Sequence, residues 1–182
     1  EIAEAANSAD LADREAWRML RRHLIAYAAA ALVMPYGRFL RECTATGYDL
    51  VRLQRRFSVS FEQLAHRLTT LGRERQYGLP FFMLRIDRAG QIGKRLAGRS
   101  NCALLLGQGT CPLWQWPAAF AAPGGEVVQR LVIEDAAGSG QYRVLARRVG
   151  ERVVVLGLAE RWTRALAPAA GGQELPLAEI GA

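Results

Sequence analysis

The residues best able to bind a charged ligand lie in residues 79–99, LPFFMLRIDRAGQIGKRLAGR. Two glycines in this segment, Gly90 and Gly93, let backbone amides approach an anion, and arginine side chains suit bidentate contacts with phosphate. The segment departs from the nucleoside triphosphate motif GxxxxGK[ST], because two residues separate its glycines and an arginine follows Lys94. It predicts a loop that binds phosphate groups of a small molecule; the alternative is a basic surface turn.

Two tryptophans follow in residues 111–124, CPLWQWPAAFAAPG. They are either core residues, which is the usual place of tryptophan, or an aromatic wall for an acyl chain or an adenine ring. Arg85 and Asp87 lie two apart on one face of a predicted strand, so we expect them to pair and hold the turn unless one faces a ligand. The candidate ligand-binding residues are Phe82, Arg85, Arg88, Lys94, Arg95, Arg99, Trp114 and Trp116.

Catalytic and metal-binding patterns are missing from the sequence. The three cysteines form no C-x-x-C pair, and the two histidines have no H-E-x-x-H spacing. We find no Ser/His/Asp or Cys/His arrangement and no paired carboxylates placed for acid–base work. We therefore expect no enzyme, no catalytic residue and no metal site, with cysteines that remain thiols in the cytoplasm.

The first part of the chain reads as helical. Residues 10–34 are predicted to form an amphipathic helix, capped by Asp10 or Asp13 and ended by Pro35. A short helix in PYGRFLREC follows, and residues 48–73 then predict two helices, the second started by a capping box of Ser60 and Gln63. This hairpin is basic and resembles a helix-turn-helix, but its base-reading set is small, so a packing unit is favoured. That set consists of Gln63, His66, Arg67 and Thr70.

From residue 80 onward the period changes to that of strands. In PFFMLRID, Phe82, Leu84 and Ile86 face one way and Met83 faces the other. EVVQRLVIED, YRVLARRV and RVVVLGLA predict a meander of antiparallel strands, the last one central because both of its faces are apolar. Residues 112–125 are expected to be a helix or loop, ERWTRALAP a short helix, and residues 169–182 loop-like. The predicted class is α+β, with a helical N-terminal region and an antiparallel sheet.

Charge and length limit the partners. Residues 1–100 carry a net charge of +7 and residues 101–182 carry none, which favours an anionic ligand or nucleic acid near the first half. No apolar run approaches the roughly 18–20 residues that a membrane helix needs, so no membrane partner is expected. The chain begins at Glu1 and is expected to start inside a longer protein.

Four ordered blocks of sequence resemble the C-terminal part of the short-chain fatty acyl-CoA transcriptional regulators. The blocks are AAALVMPYGRFL, RRFSVSFEQLAHRLTTL, PFFMLRIDRAGQIGKR and CPLWQWPAAFAAPG. The resemblance implies that residues 1–75 are the tail of a metallopeptidase-like domain and residues 76–182 a GAF-like ligand-sensing domain with flanking helices. It also implies an acyl-CoA or CoA ligand and DNA binding through an upstream helix-turn-helix domain. A homo-oligomer, either a dimer or a tetramer, is expected because operators usually pair with symmetric proteins.

The same family is associated with an iron–sulfur cluster held by a cysteine-rich tail, which this chain does not support. Such a cluster needs four thiolates, and the chain has Cys43, Cys102 and Cys111. Ala159 and Pro117 stand where relatives often carry a cysteine and a histidine, and the chain ends at LAEIGA, where the tail would begin. Two alternatives to an acyl-CoA sensor remain open. The basic hairpin of residues 48–73 could be a nucleic-acid-binding module, and the missing cysteine and histidine are also compatible with an oligomerisation domain whose pocket has decayed.

Overall fold

The structure is a computed structural model that describes residues 2–105, 113–135, 138–167 and 173–181. Helices come first and strands second, as the sequence predicts. The helices are α1 (Ile2–Val33), α2 (Tyr36–Ala45), α3 (Leu50–Phe57) and α4 (Phe61–Thr69). The strands are β1 (Phe82–Asp87), β2 (Ile92–Leu96), β3 (Glu126–Asp135), β4 (Gly138–Val149), β5 (Arg152–Ala159), β6 (Gln173–Glu174) and β7 (Ala178–Gly181). Short 3-10 helices lie at Ala103–Leu105, Trp116–Phe120, Pro123–Gly125 and Glu160–Ala165.

The short helices begin and end where local sequence signals place them. The predicted capping box is present: the Gln63 amide donates to Ser60 Oγ at 3.2 Å, and the Ser60 amide donates to Gln63 Oε1 at 2.9 Å. Asp49 caps α3 by accepting from the Arg52 amide at 3.0 Å. These bonds satisfy donors at the first turns of two helices that are too short to be stable alone.

The first helix is longer than predicted and is not capped by Asp10 or Asp13. It begins at Ile2 because residues 2–33 contain no proline or glycine, so nothing in the sequence interrupts it. It ends before Pro35, as predicted. Its apolar stripe is not covered within the described residues, since Trp17 and Leu32 are 69% and 81% exposed.

One mixed sheet contains all seven described strands, in the order β2-β1-β5-β4-β3-β6, with β7 also paired to β3. The prediction that β5 is central is confirmed, because six consecutive residues of this strand are buried. The expectation of a wholly antiparallel sheet with a loop-like end is wrong, because β6 and β7 pair with β3 in parallel. These two short strands cover an edge that β3 alone would leave open.

The two faces of the sheet bury different cores. Phe82 and Leu84 of β1 face a core that contains Trp116, and Met83 faces a second core formed with α2, α3 and α4. The alternation predicted for β1 is therefore confirmed. Polar contacts hold the helices to their face: Arg147 of β4 donates to Gln54 of α3 at 2.7 Å and to Glu126 at 2.6 Å. We call the first face the indole face and the second the helical face.

Candidate ligand-binding face

The cations of residues 85–99 lie on both sides of the sheet. The glycine segment that was expected to be a loop is β2, because IGKRL pairs with β1 in antiparallel register. Directly opposite residues project to the same face, so Lys94 joins Arg85 on the helical face and Arg95 joins Leu84 on the indole face. The side chains of adjacent residues in a strand point to opposite faces of the sheet, and this alternation places Lys94 and Arg95 on different faces.

The predicted pair of Arg85 with Asp87 is wrong. Arg85 donates to Glu62 of α4 at 3.1 Å instead. Asp87 does hold the turn, because its Oδ1 accepts from the amides of Ala89 and Gln91, both at 2.9 Å. Asp87 is the last residue of β1, and a bulge between Arg85 and Ile86 shifts the β1–β2 register just before it.

The remaining two cations lie at opposite ends of the segment. Arg88 forms an exposed ion pair with Glu151 and lies 5.5 Å from the ring centroid of Phe120, on the indole face. Arg99 lies 3.7 Å above the ring of Tyr77, in the segment that follows α4. Of the five predicted cations, Arg88 and Arg95 therefore share the indole face with Phe82, and the other three do not.

The two predicted tryptophans lie together on the indole face. Their rings stack with centroids 4.8 Å apart and planes 15° from parallel. Trp116 is fully buried in the core that also contains Phe82, and Trp114 packs against that core. Both indole Nε1 atoms are buried, and neither has a hydrogen-bond acceptor in the part of the chain that the structure describes. A buried donor without an acceptor costs about 1–3 kcal/mol, which is unusual twice in one stacked pair.

A buried glutamine that the sequence analysis missed holds the indoles in place. Gln129 of β3 is 1% exposed, and its Nε2 donates to the carbonyls of Leu113 at 3.1 Å and Pro176 at 3.2 Å. Its Oε1 accepts from the Gln115 amide at 3.3 Å. The available signal was a polar residue at an inward position of the alternating strand EVVQRLVIED.

The cysteines do not assemble a cluster site. Cys43 lies in the helical-face core and Cys102 in the indole-face core, on opposite sides of the sheet. Burial raises the pKa of Cys43 to about 12, so it is not poised to be a thiolate ligand. Cys111 lies outside the described residues. Within these limits, the residues present do not fit a four-thiolate iron–sulfur cluster.

Helix α4 is not available to read DNA bases. Arg67 is 3% exposed and donates to the Met34 carbonyl at 3.0 Å and to Thr70 Oγ1 at 3.2 Å. Gln63 is occupied in the capping box. Helix α4 is thus a packing helix, not a base-reading one, which agrees with the packing unit that the sequence analysis favoured. A groove of about 530 Å³ lies instead beside α3, lined by Glu42, Thr46, Arg52, Leu53, Arg55 and Arg56.

A solved structure with the same fold shows the class of protein to which this chain is similar. The chain is similar to a Mycobacterium tuberculosis transcriptional regulator, with a TM-score of 0.71 and 32% identity over 85% of this chain and 50% of that one. The predicted α+β class is confirmed. No helix in the described part of the chain is both long and apolar enough to span a membrane.

The family follows from the sequence matches. Residues 70–167 match the family model described as "Short-chain fatty acyl coenzyme A regulator, C-terminal", and residues 4–69 match the "IrrE N-terminal-like domain". The first match covers more than half of the chain, so the chain belongs to the short-chain fatty acyl coenzyme A regulators. The predicted family resemblance is confirmed.

Curated relatives carry regulator names. The chain is 38% identical over 148 residues to the HTH-type transcriptional regulator PrpR of Mycobacterium tuberculosis, covering 81% of this chain and 30% of that protein. It is 39% identical over 137 residues to the propionyl-CoA carboxylase regulator of Cereibacter sphaeroides, covering 75% of this chain and 29% of that protein. It is also 39% identical to the HTH-type transcriptional regulator RamB of M. tuberculosis, covering 79% of this chain and 29% of that protein. The chain thus spans about a third of the length of these relatives.

Proposed function

We propose that this chain is the ligand-sensing part of a cytoplasmic bacterial transcriptional regulator that binds a short-chain acyl-CoA on the indole face. Residues 76–182 form a GAF-like sensing domain in this proposal, and residues 1–75 the tail of a metallopeptidase-like domain. Binding controls the DNA affinity of an upstream helix-turn-helix domain. Family membership supports the regulator class, and the site chemistry supports the ligand.

The observation that carries the proposal is the pair of unsatisfied indole donors of Trp114 and Trp116. An acyl-CoA brings the acceptors that this pair lacks, because its thioester and its two pantetheine amides each contain a carbonyl oxygen. Trp114, the partly buried member of the stacked pair, also offers an apolar surface to the acyl chain. A ligand that accepts from both donors recovers the cost of leaving them buried and unpaired.

The phosphate groups of the ligand are assigned to the cations that share this face. Arg95 projects to the indole face from β2, and Arg88 lies beside Phe120 at the adjoining hairpin. The ion pair of Arg88 with Glu151 is exposed on both sides, so it contributes little and a phosphate can replace the carboxylate. Arg85, Lys94 and Arg99 lie on the helical side, so the proposal does not use them.

Transmission to DNA follows from strands that both cores share. Residues of β1 and β5 alternate between the indole core and the helical core. Arg85 ties β1 to Glu62 of α4, so a shift of β1 on ligand binding changes how the helices pack. A ligand that prefers one arrangement moves the equilibrium between them. A symmetric homo-oligomer such as a dimer would match a palindromic operator.

The test is calorimetric titration of the 182-residue chain with acetyl-, propionyl- and butyryl-CoA, with CoA itself as reference. We expect binding heat and thermal stabilisation, which amounts to about 2.7 kcal/mol at a ligand concentration of 100 Kd. Trp114→Phe and Trp116→Phe keep a ring and remove a donor, so each should weaken binding by about 5- to 30-fold, the equivalent of about 1–2 kcal/mol.

The matched control is Trp162→Phe, since Trp162 lies in a different 3-10 helix and is 41% exposed. Its affinity for acyl-CoA should equal that of the parent chain. Absence of heat and of stabilisation at millimolar acyl-CoA would refute the proposal, and so would equal losses in all three variants.

A further inference from the structure

Helices α2 and α3 form a basic groove that the acyl-CoA proposal does not use. Three arginines of α3 line it, at positions 52, 55 and 56. Residues three and four apart on a helix lie on the same face, so the three guanidinium groups project from one side of α3. All three side chains are exposed, whereas Leu53, which also lines the groove, and Phe57 are buried.

Little within the described residues neutralises this charge. Glu42 of α2 lies 3.6 Å from Arg56, at a site where both side chains are solvated, so the pair is weak. Among the described residues Arg52 and Arg55 form no ion pair, and the nearby carboxylate of Asp49 accepts from the Arg52 amide. The groove therefore holds about two more positive charges than it can pair internally.

We propose that this groove contacts the phosphate backbone of duplex DNA. Guanidinium groups match phosphate oxygens in a bidentate geometry, and such contacts need no base-reading side chains. This fits the local structure, because α4, which would have to read bases, is buried or engaged in its own cap. The contact is independent of DNA sequence and adds to whatever specificity the rest of the regulator provides.

Duplex DNA fits the groove better than a lipid surface does. A helix that lies on a membrane inserts large apolar residues beside its cations. In α3, Leu53 and Phe57 are buried, Leu50 is partly buried and Val51 is 39% exposed, so the helix offers little apolar surface to a membrane. The relatives reported above are named as HTH-type regulators, so duplex DNA is a partner to which such proteins are exposed.

The test is fluorescence anisotropy of a labelled 20-base-pair duplex of arbitrary sequence, titrated with the 182-residue chain at 50–200 mM salt. With three phosphates neutralised, log Kd should change with log salt with a slope of about 2.7, a loss of about 40-fold in affinity over this range. Replacing the three arginines with glutamine (R52Q/R55Q/R56Q) should abolish that dependence. Replacing them with lysine should preserve most of it, because a lysine keeps the point charge.

The matched control removes three exposed arginines from elsewhere, as R130Q/R161Q/R164Q, and should leave the slope unchanged. Circular dichroism and thermal melting check that each variant is folded, and Arg55→Gln alone should reduce the slope by about 0.9. Equal losses in groove and control variants would overturn the proposal, because they would show only a net-charge effect. Three other results would also overturn the proposal. They are the absence of DNA binding at 50 mM salt, binding to phosphatidylserine vesicles in place of DNA, and displacement of the duplex by millimolar CoA that binds these arginines.

Discussion

Replacing Gly157 with alanine tests whether the packing between β1 and β5 fixes the indole face. Gly157 lies directly opposite Phe82 in the β1–β5 ladder. A Cβ atom at this position would lie 2.1 Å from Phe82 Cζ and 2.5 Å from Cε1 and Cε2. Phe82 is fully buried and packs edge-on against Tyr142, with ring centroids 6.1 Å apart. The ring therefore has no solvent into which it can move.

The expected cost follows from these distances. Adding a methyl group to a well-packed core costs about 1–3 kcal/mol, and contacts this short on a buried ring point to the upper end. Alanine recovers about 0.5–1 kcal/mol because it is less disordered than glycine in the unfolded chain. We expect Gly157→Ala to lower the free energy of unfolding by about 2 kcal/mol, which for a chain of this size lowers Tm by about 4–8 °C.

The assay is urea unfolding followed by circular dichroism, with two companion variants. Phe82→Leu should make room for the new methyl group, so Gly157→Ala should cost about 0.5–3 kcal/mol less in that background. Gly93→Ala is the matched control, since Gly93 lies in a strand and its Cβ would meet nothing nearer than Arg85 Nη2 at 4.0 Å. The reasoning is refuted if Gly157→Ala is as stable as the parent chain, or if its cost is unchanged by Phe82→Leu.

Three further predictions concern contacts away from this ladder. Arg147→Gln should lower the free energy of unfolding by about 2–3 kcal/mol, because it leaves the largely buried carboxylate of Glu126 without its partner. Arg88→Gln removes an exposed ion pair and should cost less than about 1 kcal/mol. Urea unfolding of the two variants measures the difference. Gln129→Leu should cost about 1–3 kcal/mol and change tryptophan emission, since three hydrogen bonds that place the indoles are lost; an unchanged spectrum would contradict this. Because burial raises the pKa of Cys43, the contribution of this thiol to stability is complete below its ordinary pKa of 9.0 and is lost as pH rises toward about 12. At pH 9, Cys43 in the native chain should resist labelling by iodoacetamide. Labelling at the rate of the unfolded chain would contradict this prediction, because it would show that the thiol is accessible.

Local patterns in the sequence were sufficient for most of the elements. The capping box of Ser60 and Gln63, the break at Pro35 and the alternation of Phe82 and Met83 all depend on residues close together in the chain. β5 could be placed in the centre because a strand buried on both faces has no polar residues to alternate. The start of α1 was less predictable, because no breaking residue marks it.

The candidate site was predicted only in part, because it depends on pairing between distant segments. The sequence identified the stacked indoles and the cations, but it treated the cations as one cluster. Formation of β2 put Lys94 and Arg95 on opposite faces, and Arg85 found its partner on α4. The glycine at position 93 made this segment read as a loop, whereas pairing with β1 decided that it is a strand.

By itself the sequence determined the α+β class, the order of the helices and main strands, the family and the residue types available for chemistry. Only the tertiary structure decided which of those residues meet. The physical reason is that strand register assigns each side chain to a face of the sheet, and register is set by long-range hydrogen bonding and by burial of the two cores. A shift of one residue in β2 would move Arg95 to the helices and Lys94 to the indoles.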